Sequence, residues 1–261
     1  MTLNLDGYTV GGNFPLTHSR ILWQPVTGTV VADGTNGIYA TNDYTSQRWA
    51  LAAGSNDWVL TLSAAAGVDM VMIAAHNLTG RTVTISTSPD LVTAYTLRAT
   101  VTPTDNSAIA ALFNDDGEPI SARRIKVNID EGDGFNIGVI RAGVALQMPQ
   151  PFYAGHTPIR YNRMTEGEQQ ISETGQWLGR VVLRRSISSG YEWSHIKLAW
   201  YRENLEPFFQ SLPQTPFGIV GNPEKMTDDV AWGWSDSDPK AEIMGIKSYM
   251  QVGFSVSGLW S

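Results

Sequence analysis

The first half of the chain contains the segment Asp69-Met-Val-Met-Ile-Ala-Ala-His-Asn-Leu-Thr-Gly-Arg-Thr-Val-Thr-Ile-Ser-Thr87, which predicts a β-hairpin. Residues 71–75 form an apolar run of strand length, and such a run is typical of a strand that is buried on both faces. Asn77 and Gly80 then predict a turn, because both residue types tolerate a left-handed backbone. From Arg81 onward, apolar and hydroxyl side chains alternate, which indicates a half-buried second strand.

The composition is that of a folded chain with many turns. Of the 261 residues, 42% are hydrophobic and 16% are charged, so a substantial core can form. The 25 glycines and 13 prolines favour many short strands. Alternating segments recur on both sides of the predicted hairpin, for example at residues 56–62, 95–101 and 122–129. The predicted fold class is therefore mainly all-β, with a β-sandwich in the first half.

A boundary between two domains is predicted at Met148-Pro-Gln-Pro151, because two prolines enforce an extended connector. Beyond it, one flanking helix is predicted near residues 194–212, where apolar side chains recur at three- and four-residue steps. Pro207 is expected to kink or restart this helix. In the alternative assignment, residues 193–200 form a strand and a shorter helix starts at Asn204. Each half has enough apolar strand for a core of its own, so each is expected to fold alone.

Charge and residue types exclude several functions. The formal net charge of −7, without clustered Lys and Arg, argues against nucleic-acid binding. The absence of cysteine excludes disulfides, thiolate nucleophiles and Cys-ligated zinc. The sequence shows no leader and no apolar run of about 18 residues, so we expect a product of the cytoplasm without membrane insertion.

No catalytic or cofactor pattern is evident in the sequence. His76 is predicted to be a turn residue that bonds the loop backbone, rather than a metal ligand or a base. Two acidic loops, residues 115–118 and 130–133, lack the full pattern of oxygen ligands that Ca²⁺ requires, so solvated turns are favoured there. We therefore expect no cofactor, with a structural Ca²⁺ left open.

Several short phrases resemble proteins of the tailed-bacteriophage virion. Ile73-Ala-Ala-His-Asn-Leu78 resembles the central hairpin of jelly-roll domains, galactose-binding-like in shape, that occur in such proteins. Phrases of the second half are similar to the tube-associated domain of phage tail proteins: Pro207-Phe-Phe209, Pro216-Phe217, Trp232-Gly-Trp234 and Val256-Ser-Gly-Leu259. The resemblance implies an N-terminal arm (residues 1–15), a galactose-binding-like jelly-roll β-sandwich (residues 16–149) and a β-sandwich-like tail-ring or oligomerisation domain (residues 150–261).

The same resemblance implies a non-enzymatic structural component of a phage tail, of the distal-tail or minor-tail type, that forms a ring at the tail tube. The expected partners are other copies of the chain, as a trimer or hexamer, and neighbouring tail proteins. The expected location is the virion tail, after assembly in the host cytoplasm. Exposed apolar patches usually mark interfaces, so the aromatic residues near the end of the chain are candidate interface residues: Trp232, Trp234, Phe254 and Trp260.

Two alternative functions remain open. In the first, loops at one end of the jelly roll bind a host glycan, and tryptophans stack on the sugar. In the second, paired carboxylates on a β-sandwich degrade a polysaccharide. The sequence gives no separation between carboxylates and singles out no pair, so the non-enzymatic hypotheses are favoured.

Overall fold

The computed structural model describes residues 2–10, 15–152, 156–245 and 248–259, and strands dominate in all of these ranges. The first nine strands in chain order are β1 (Thr2–Gly7), β2 (Arg20–Leu22), β3 (Thr29–Ala32), β4 (Trp49–Ala50), β5 (Asn56–Val68), β6 (Met70–His76), β7 (Val83–Ser88), β8 (Thr96–Val101) and β9 (Ile109–Phe113). The following nine are β10 (Ile120–Ile129), β11 (Asn136–Gly143), β12 (Leu146–Gln147), β13 (Arg163–Ile171), β14 (Trp177–Lys197), β15 (Phe217–Asn222), β16 (Met226–Trp234), β17 (Lys240–Met244) and β18 (Tyr249–Leu259).

The strands form three sheets. The first sheet has the order β1-β9-β6-β11-β4, and the second has the order β3-β5-β10-β7-β8. The third sheet follows β12-β2-β15-β16-β18-β14-β13, and β17 pairs with β18 beside this path. The predicted fold class is confirmed: the chain is mainly all-β, with a jelly-roll β-sandwich made by the first and second sheets and a further sheet that carries one helix.

The predicted β-hairpin at residues 69–87 is wrong in its pairing, although both strands exist. β6 pairs with β9 and β11 in the first sheet, whereas β7 pairs with β8 and β10 in the second. The turn between them crosses from one sheet to the other, with Leu78 fully buried at the crossing. A strand with two apolar faces belongs in an inner layer, so it pairs with strands of that layer and not with its half-buried sequence neighbour.

Burial of β6 on both faces is confirmed. Met70 and Met72 belong to the core that the first sheet shares with the third sheet. Val71 and Ile73 belong to the core between the first and second sheets. All four side chains are fully buried, and each burial contributes about 1.5–3 kcal/mol. The first sheet is therefore the middle of three layers.

Two segments cross the predicted domain limits. β1 lies within the residues that were predicted to form an arm, and it pairs in parallel with β9 of the first sheet. β2 comes from the first half of the chain but pairs with β15 and β12 in the third sheet. Ile21 and Leu22 of β2 are buried in the same core as residues of the second half. The two halves consequently share a sheet as well as a core.

The flanking helix spans residues 198–211, with α-helical turns at Leu198–Trp200 and Glu206–Ser211 and a π-helical turn at Tyr201–Leu205 between them. It starts later than predicted, because β14 continues to Lys197 as in the first part of the alternative assignment. Pro207 lies in the first turn of the last segment, where a missing N–H is tolerated. No helix among the described residues is long and apolar enough to span a membrane.

Candidate functional site

A cleft of about 270 Å³, which we call the intersheet cleft, opens where the first sheet meets the third. One wall consists of the end of β6 and of loop residues at the same end of the jelly roll. The other wall is formed mainly by β16. Its lining residues include Arg48, Ala75, His76, Asn106, Trp232 and Trp234.

Trp232 and Trp234 project from the same face of β16, because they lie two residues apart on one strand. Trp232 is 7% exposed and Trp234 is 38% exposed, so the first closes the cleft inside and the second stands at its opening. Between them, a Cβ atom on Gly233 would collide with the backbone carbonyl of Ser257 on β18. The glycine therefore allows β16 to meet β18 here, which fixes the direction of both indoles.

The indole Nε1 of Trp232 is buried and has no hydrogen-bond partner among the described residues. The guanidinium of Arg141 lies 6.0 Å from the centre of this indole ring, held by the Asp43 carboxylate at 2.6 Å and by the carbonyl of Thr41. Trp232, Arg141 and Asp43 also line a neighbouring cavity of about 300 Å³. A buried donor without a partner costs about 1–3 kcal/mol.

Ala75, in the wall opposite β16, has a strained backbone. Its φ of 53° lies in the left-handed region, which costs a non-glycine residue about 1–2 kcal/mol. Gly138 faces it on β11, where a Cβ atom would approach the Ala75 Cβ to 2.8 Å. Strained residues of this kind cluster at binding and catalytic sites, which makes this wall of the cleft a candidate for function.

His76 is a buried structural residue, as predicted from its place in the turn. Its Nε2–H donates to the carbonyl of Ser107 at 2.8 Å, and its Nδ1 accepts the backbone N–H of Leu78 at 3.2 Å. Burial lowers the pKa of the imidazole to about 4, so the ring is neutral at physiological pH. Because both ring nitrogens are engaged by the backbone, His76 is not available as a base or a metal ligand.

Two polar residues complete the cleft and carry no sequence motif. Arg48 donates from Nη1 to the Asn136 side-chain oxygen at 2.6 Å, which holds its guanidinium at the cleft wall. Asn106 accepts a hydrogen bond from the Thr79 hydroxyl at 2.6 Å. Sequence reasoning missed Arg48 and Asn106, because they lie in separate loops; their one common signal is that each loop adjoins a strand end at the same edge of the sandwich.

Phe254, another candidate interface residue, does not line the cleft. Phe254 is 5% exposed and packs in an aromatic core, with ring centres 5.4 Å from both Phe208 and Trp193. Alternation along β18 directs the Phe254 side chain towards the helix, so this ring is not exposed on the surface. Trp260 lies outside the described residues.

A second group of titratable side chains is buried beneath β14. His156 Nε2 lies 2.8 Å from an oxygen of Asp229, and the Tyr191 hydroxyl donates to the other oxygen at 3.0 Å. The backbone N–H of Ile159 donates to that second oxygen at 2.9 Å. Burial and the neighbouring carboxylate raise the pKa of Tyr191. Asp229 is fully buried, and His156, Tyr191 and the Ile159 N–H all bond to its carboxylate. The cluster therefore joins the connector that starts at residue 156 to β14 and β16.

Another cavity, of about 550 Å³, is an open trough on the outer face of β14, β18 and β17. Its floor includes Gly190 and Gly253, and Glu192, Glu242 and Lys240 stand along its sides. Tyr191 and Phe254 adjoin the trough, but both are buried, so neither offers its aromatic face there. The intersheet cleft is smaller but combines an exposed indole with fixed polar groups.

The two acidic loops are turns. In the first, backbone hydrogen bonds join Asp115 and Glu118, with Asp116 and Gly117 both at positive φ. In the second, Glu131 accepts the backbone N–H of Gly54 at 2.8 Å, and this bond lowers the pKa of its carboxyl. Among the described residues, no group of three or more His, Asp or Glu side chains is arranged to hold a metal ion.

Comparison with known proteins gives similarity in structure only. No family model matches the chain, and no curated protein matches it. Chitosan-binding module 1 of a chitosanase/glucanase from Paenibacillus sp. IK-5 is 18% identical, covers 45% of this chain and 96% of its own, and has a TM-score of 0.39. A family 32 carbohydrate-binding module from C. perfringens NanJ, in complex with galactose, is 20% identical and covers 44% and 91%, with a TM-score of 0.38. A pectin-binding module is 20% identical and covers 46% and 91%, with a TM-score of 0.37.

Proposed function

We propose that the protein is a non-catalytic saccharide-binding module and that one sugar residue occupies the intersheet cleft. The observation that carries this proposal is the pair of tryptophans on one face of β16, one buried and one exposed, beside two fixed polar side chains. A cavity of about 270 Å³ lies near the lower limit of small-ligand sites, which suits one sugar ring rather than an extended chain.

The chemistry of the lining residues suits a sugar. The exposed indole of Trp234 offers a flat apolar face to the C–H groups of a pyranose ring, and aromatic residues with a polar atom serve such half-apolar ligands well. Arg48 offers charged N–H donors, and Asn106 has both donor and acceptor groups for hydroxyls.

The cleft does not suit glycoside hydrolysis. That reaction uses a pair of Asp or Glu residues on either side of the bond, and no carboxylate is among the described residues that line the cleft. The histidine of the cleft is neutral and bonded at both nitrogens. We therefore propose binding without turnover.

Titration with a panel of mono- and oligosaccharides, followed by calorimetry, tests this proposal. Trp234→Ala is expected to weaken binding about tenfold or more, because the stacking surface is lost. Tyr161→Ala is the control, since it removes another exposed aromatic side chain that does not line the cleft. The proposal fails if no saccharide binds the intact protein, or if Trp234→Ala and Tyr161→Ala bind equally well. Release of reducing sugar from any panel member would contradict the absence of turnover.

A second candidate function is the phage-tail component that the sequence resemblance implies. The observation that favours it is an apolar, exposed hairpin at residues 163–185, since subunits of large assemblies bury such surfaces against their neighbours. In this proposal the protein resides in the virion tail, with other tail proteins as partners. Mass spectrometry and imaging of purified virions test it; absence of the protein from particles would exclude it, whether or not the cleft binds sugar.

A further inference from the structure

The hairpin formed by β13 and β14 extends beyond the rest of the third sheet. We call residues 163–185, with the turn at their tip, the hairpin arm. β18 pairs with β14 from Ser186 onward, and β13 is the last strand on its side of the sheet. The arm is therefore a two-stranded ribbon of about 30 Å, at about 3.3 Å per residue, whose outer edges lack a paired strand within the described part of the chain.

The arm carries a concentration of exposed apolar side chains. Val181 and Val182 are neighbours in sequence and point to opposite faces of the ribbon, so both faces are apolar. Seven large apolar residues of the arm are between 43% and 64% exposed: Met164, Ile171, Trp177, Leu178, Val181, Val182 and Leu183. An isolated ribbon with exposed apolar faces and open edges is unstable in water and pairs readily with another chain. The surface therefore requires a partner.

The charges of the arm are divided between its two strands. β13 carries Arg163 at its base and then Glu166 and Glu168, whereas the protruding part of β14 carries Arg180, Arg184 and Arg185 and no carboxylate. If two arms met through the same strand, Glu would face Glu or Arg would face Arg, and like charges on adjacent strands are destabilising. If β13 of one arm lay beside β14 of the next, opposite charges would face each other. Charge complementarity thus selects a second copy of this chain in a head-to-tail arrangement.

We infer that the hairpin arms of neighbouring copies pair edge to edge, with the β13 edge of one arm against the β14 edge of the next. Each contact extends the antiparallel sheet, satisfies open backbone groups and brings the apolar residues of adjacent arms together. Such a contact is heterologous, and a heterologous contact closes into a ring when its rotation permits. The inference goes beyond saccharide binding and does not depend on it, because the arm and the intersheet cleft are different surfaces.

Sedimentation of the full-length protein over a dilution series tests the apolar part of the inference. The intact protein is expected to form a species larger than a dimer that dissociates on dilution. Leu183→Asn is expected to raise the dissociation constant about tenfold or more, because an apolar side chain in the contact is lost. Leu91→Asn makes the same change at an exposed leucine of the jelly roll and is expected to have no effect. Both side chains are exposed, so thermal unfolding of the two variants should match that of the intact protein.

Charge reversal tests the direction of pairing. Glu166→Arg with Glu168→Arg leaves β13 and the protruding part of β14 both basic and should weaken assembly about tenfold or more. Adding Arg180→Glu, Arg184→Glu and Arg185→Glu exchanges all these charges and should restore it, because opposite charges then face each other again, including the internal pair of Arg184 and Glu166. If the two-residue reversal leaves the dissociation constant unchanged, head-to-tail pairing is excluded.

Amide hydrogen exchange shows which residues of the hairpin arm form the contact between copies. Those amides of residues 177–183 that do not bond to β13 are expected to become protected at high protein concentration and to exchange rapidly at low concentration. A protein that stays monomeric at every concentration, or an assembly that forms without protection of these amides, would overturn the inference. If these amides become protected in a protein that binds no saccharide, the pairing of hairpin arms is supported and only the proposed function of the intersheet cleft is rejected.

Discussion

At the scale of single residues, burial decides the role of a side chain more than its chemical type. His76 ends β6 and His156 lies in the connector before β13, yet burial keeps the first imidazole neutral and the second faces a carboxylate. Trp232 and Trp234 differ in the same way, since one closes the intersheet cleft and the other opens to solvent. The partners of each group therefore set its charge and its availability to ligands.

His76 is expected to make the protein sensitive to acid. Its pKa is about 4 in the folded state against an ordinary value of 6.5, so below pH 6.5 the unfolded state binds a proton that the folded state does not. The stability that depends on neutral His76 is complete above pH 6.5 and is lost as the pH falls towards 4, by roughly 3 kcal/mol at most. Urea unfolding of the intact protein and of His76→Gln at several pH values measures this effect.

Comparing the intact protein with His76→Gln separates the effect of His76 from that of Asp69, because both proteins contain Asp69. Burial raises the pKa of Asp69 to about 6. Asp69 acts in the opposite direction, because between pH 3.8 and 6 the folded state binds more protons than the unfolded state. The difference in unfolding free energy between the intact protein and His76→Gln should shrink as the pH falls from 6.5 to 4. Parallel curves for the two proteins would contradict a neutral His76.

Asp229→Asn is expected to destabilise the fold by about 2 kcal/mol or more. The substitution removes the negative charge beside His156 and leaves an amide NH2 group that faces either His156 Nε2 or both the Tyr191 hydroxyl and the Ile159 N–H. Asp238→Asn, at an exposed position, is the matched control and should change stability by less than about 0.5 kcal/mol. Chemical denaturation measures both, and equal stabilities would show that the cluster is not a structural joint.

At the scale of elements, glycines determine where β16 and β18 of the third sheet approach each other closely enough to pair. Among the described residues, β16 and β18 pair at Gly233–Gly258 and at Trp234–Ser257, and each glycine lies against the backbone of the other strand. The contact sets the position of the Trp232-Gly-Trp234 face. The cleft thus depends on close backbone approach as much as on the residues that line it.

Gly233→Ala is expected to destabilise the protein by about 2 kcal/mol or more, because the new Cβ atom collides with the carbonyl of Ser257, which cannot move without breaking the pairing of β18. Gly190→Ala is the control. It also lies in a strand of the third sheet, but no atom lies within 4 Å of its added Cβ, so stability should be unchanged or slightly higher. Thermal unfolding of the two variants measures the difference. Equal effects would show that the β16–β18 contact accommodates a side chain at residue 233.

At the scale of the whole molecule, the shared core joins the two halves of the chain. Met70, Met72 and Leu112 of the first sheet are buried by residues of the third sheet, and β2 is itself part of that sheet. An isolated first half would expose this apolar face of the middle layer. The structure therefore argues for one cooperative unit, although the sequence predicts halves that fold alone.

A fragment of residues 1–149 is accordingly expected to unfold at lower temperature than the full-length protein and to aggregate, because it loses the cover of its middle sheet. The full-length protein should unfold in one transition. Calorimetry of both chains provides the measurement. A fragment that melts at the same temperature as the full-length protein would restore the division at residue 149 as a boundary between independent domains.

The sequence by itself determined the features that depend on local pattern. The apolar run at residues 71–75 required a strand buried on both faces, and alternation gave the all-β class. The stripe of apolar residues after Leu198 marked the one flanking helix. These features follow from the fixed geometry of strands and helices, which a few neighbouring residues reveal.

Only the tertiary structure decided which faces are covered and which strands pair. Alternation shows that Phe254 and Val181 each lie on an apolar face, but not that one face is buried by the helix while the other is open to solvent. The placement of β6 and β7 in different sheets, and the meeting of Arg48 and Asn106 with Trp234, depend on contacts between segments far apart in sequence. Such contacts are selected by the packing of whole layers, and no local pattern contains that information.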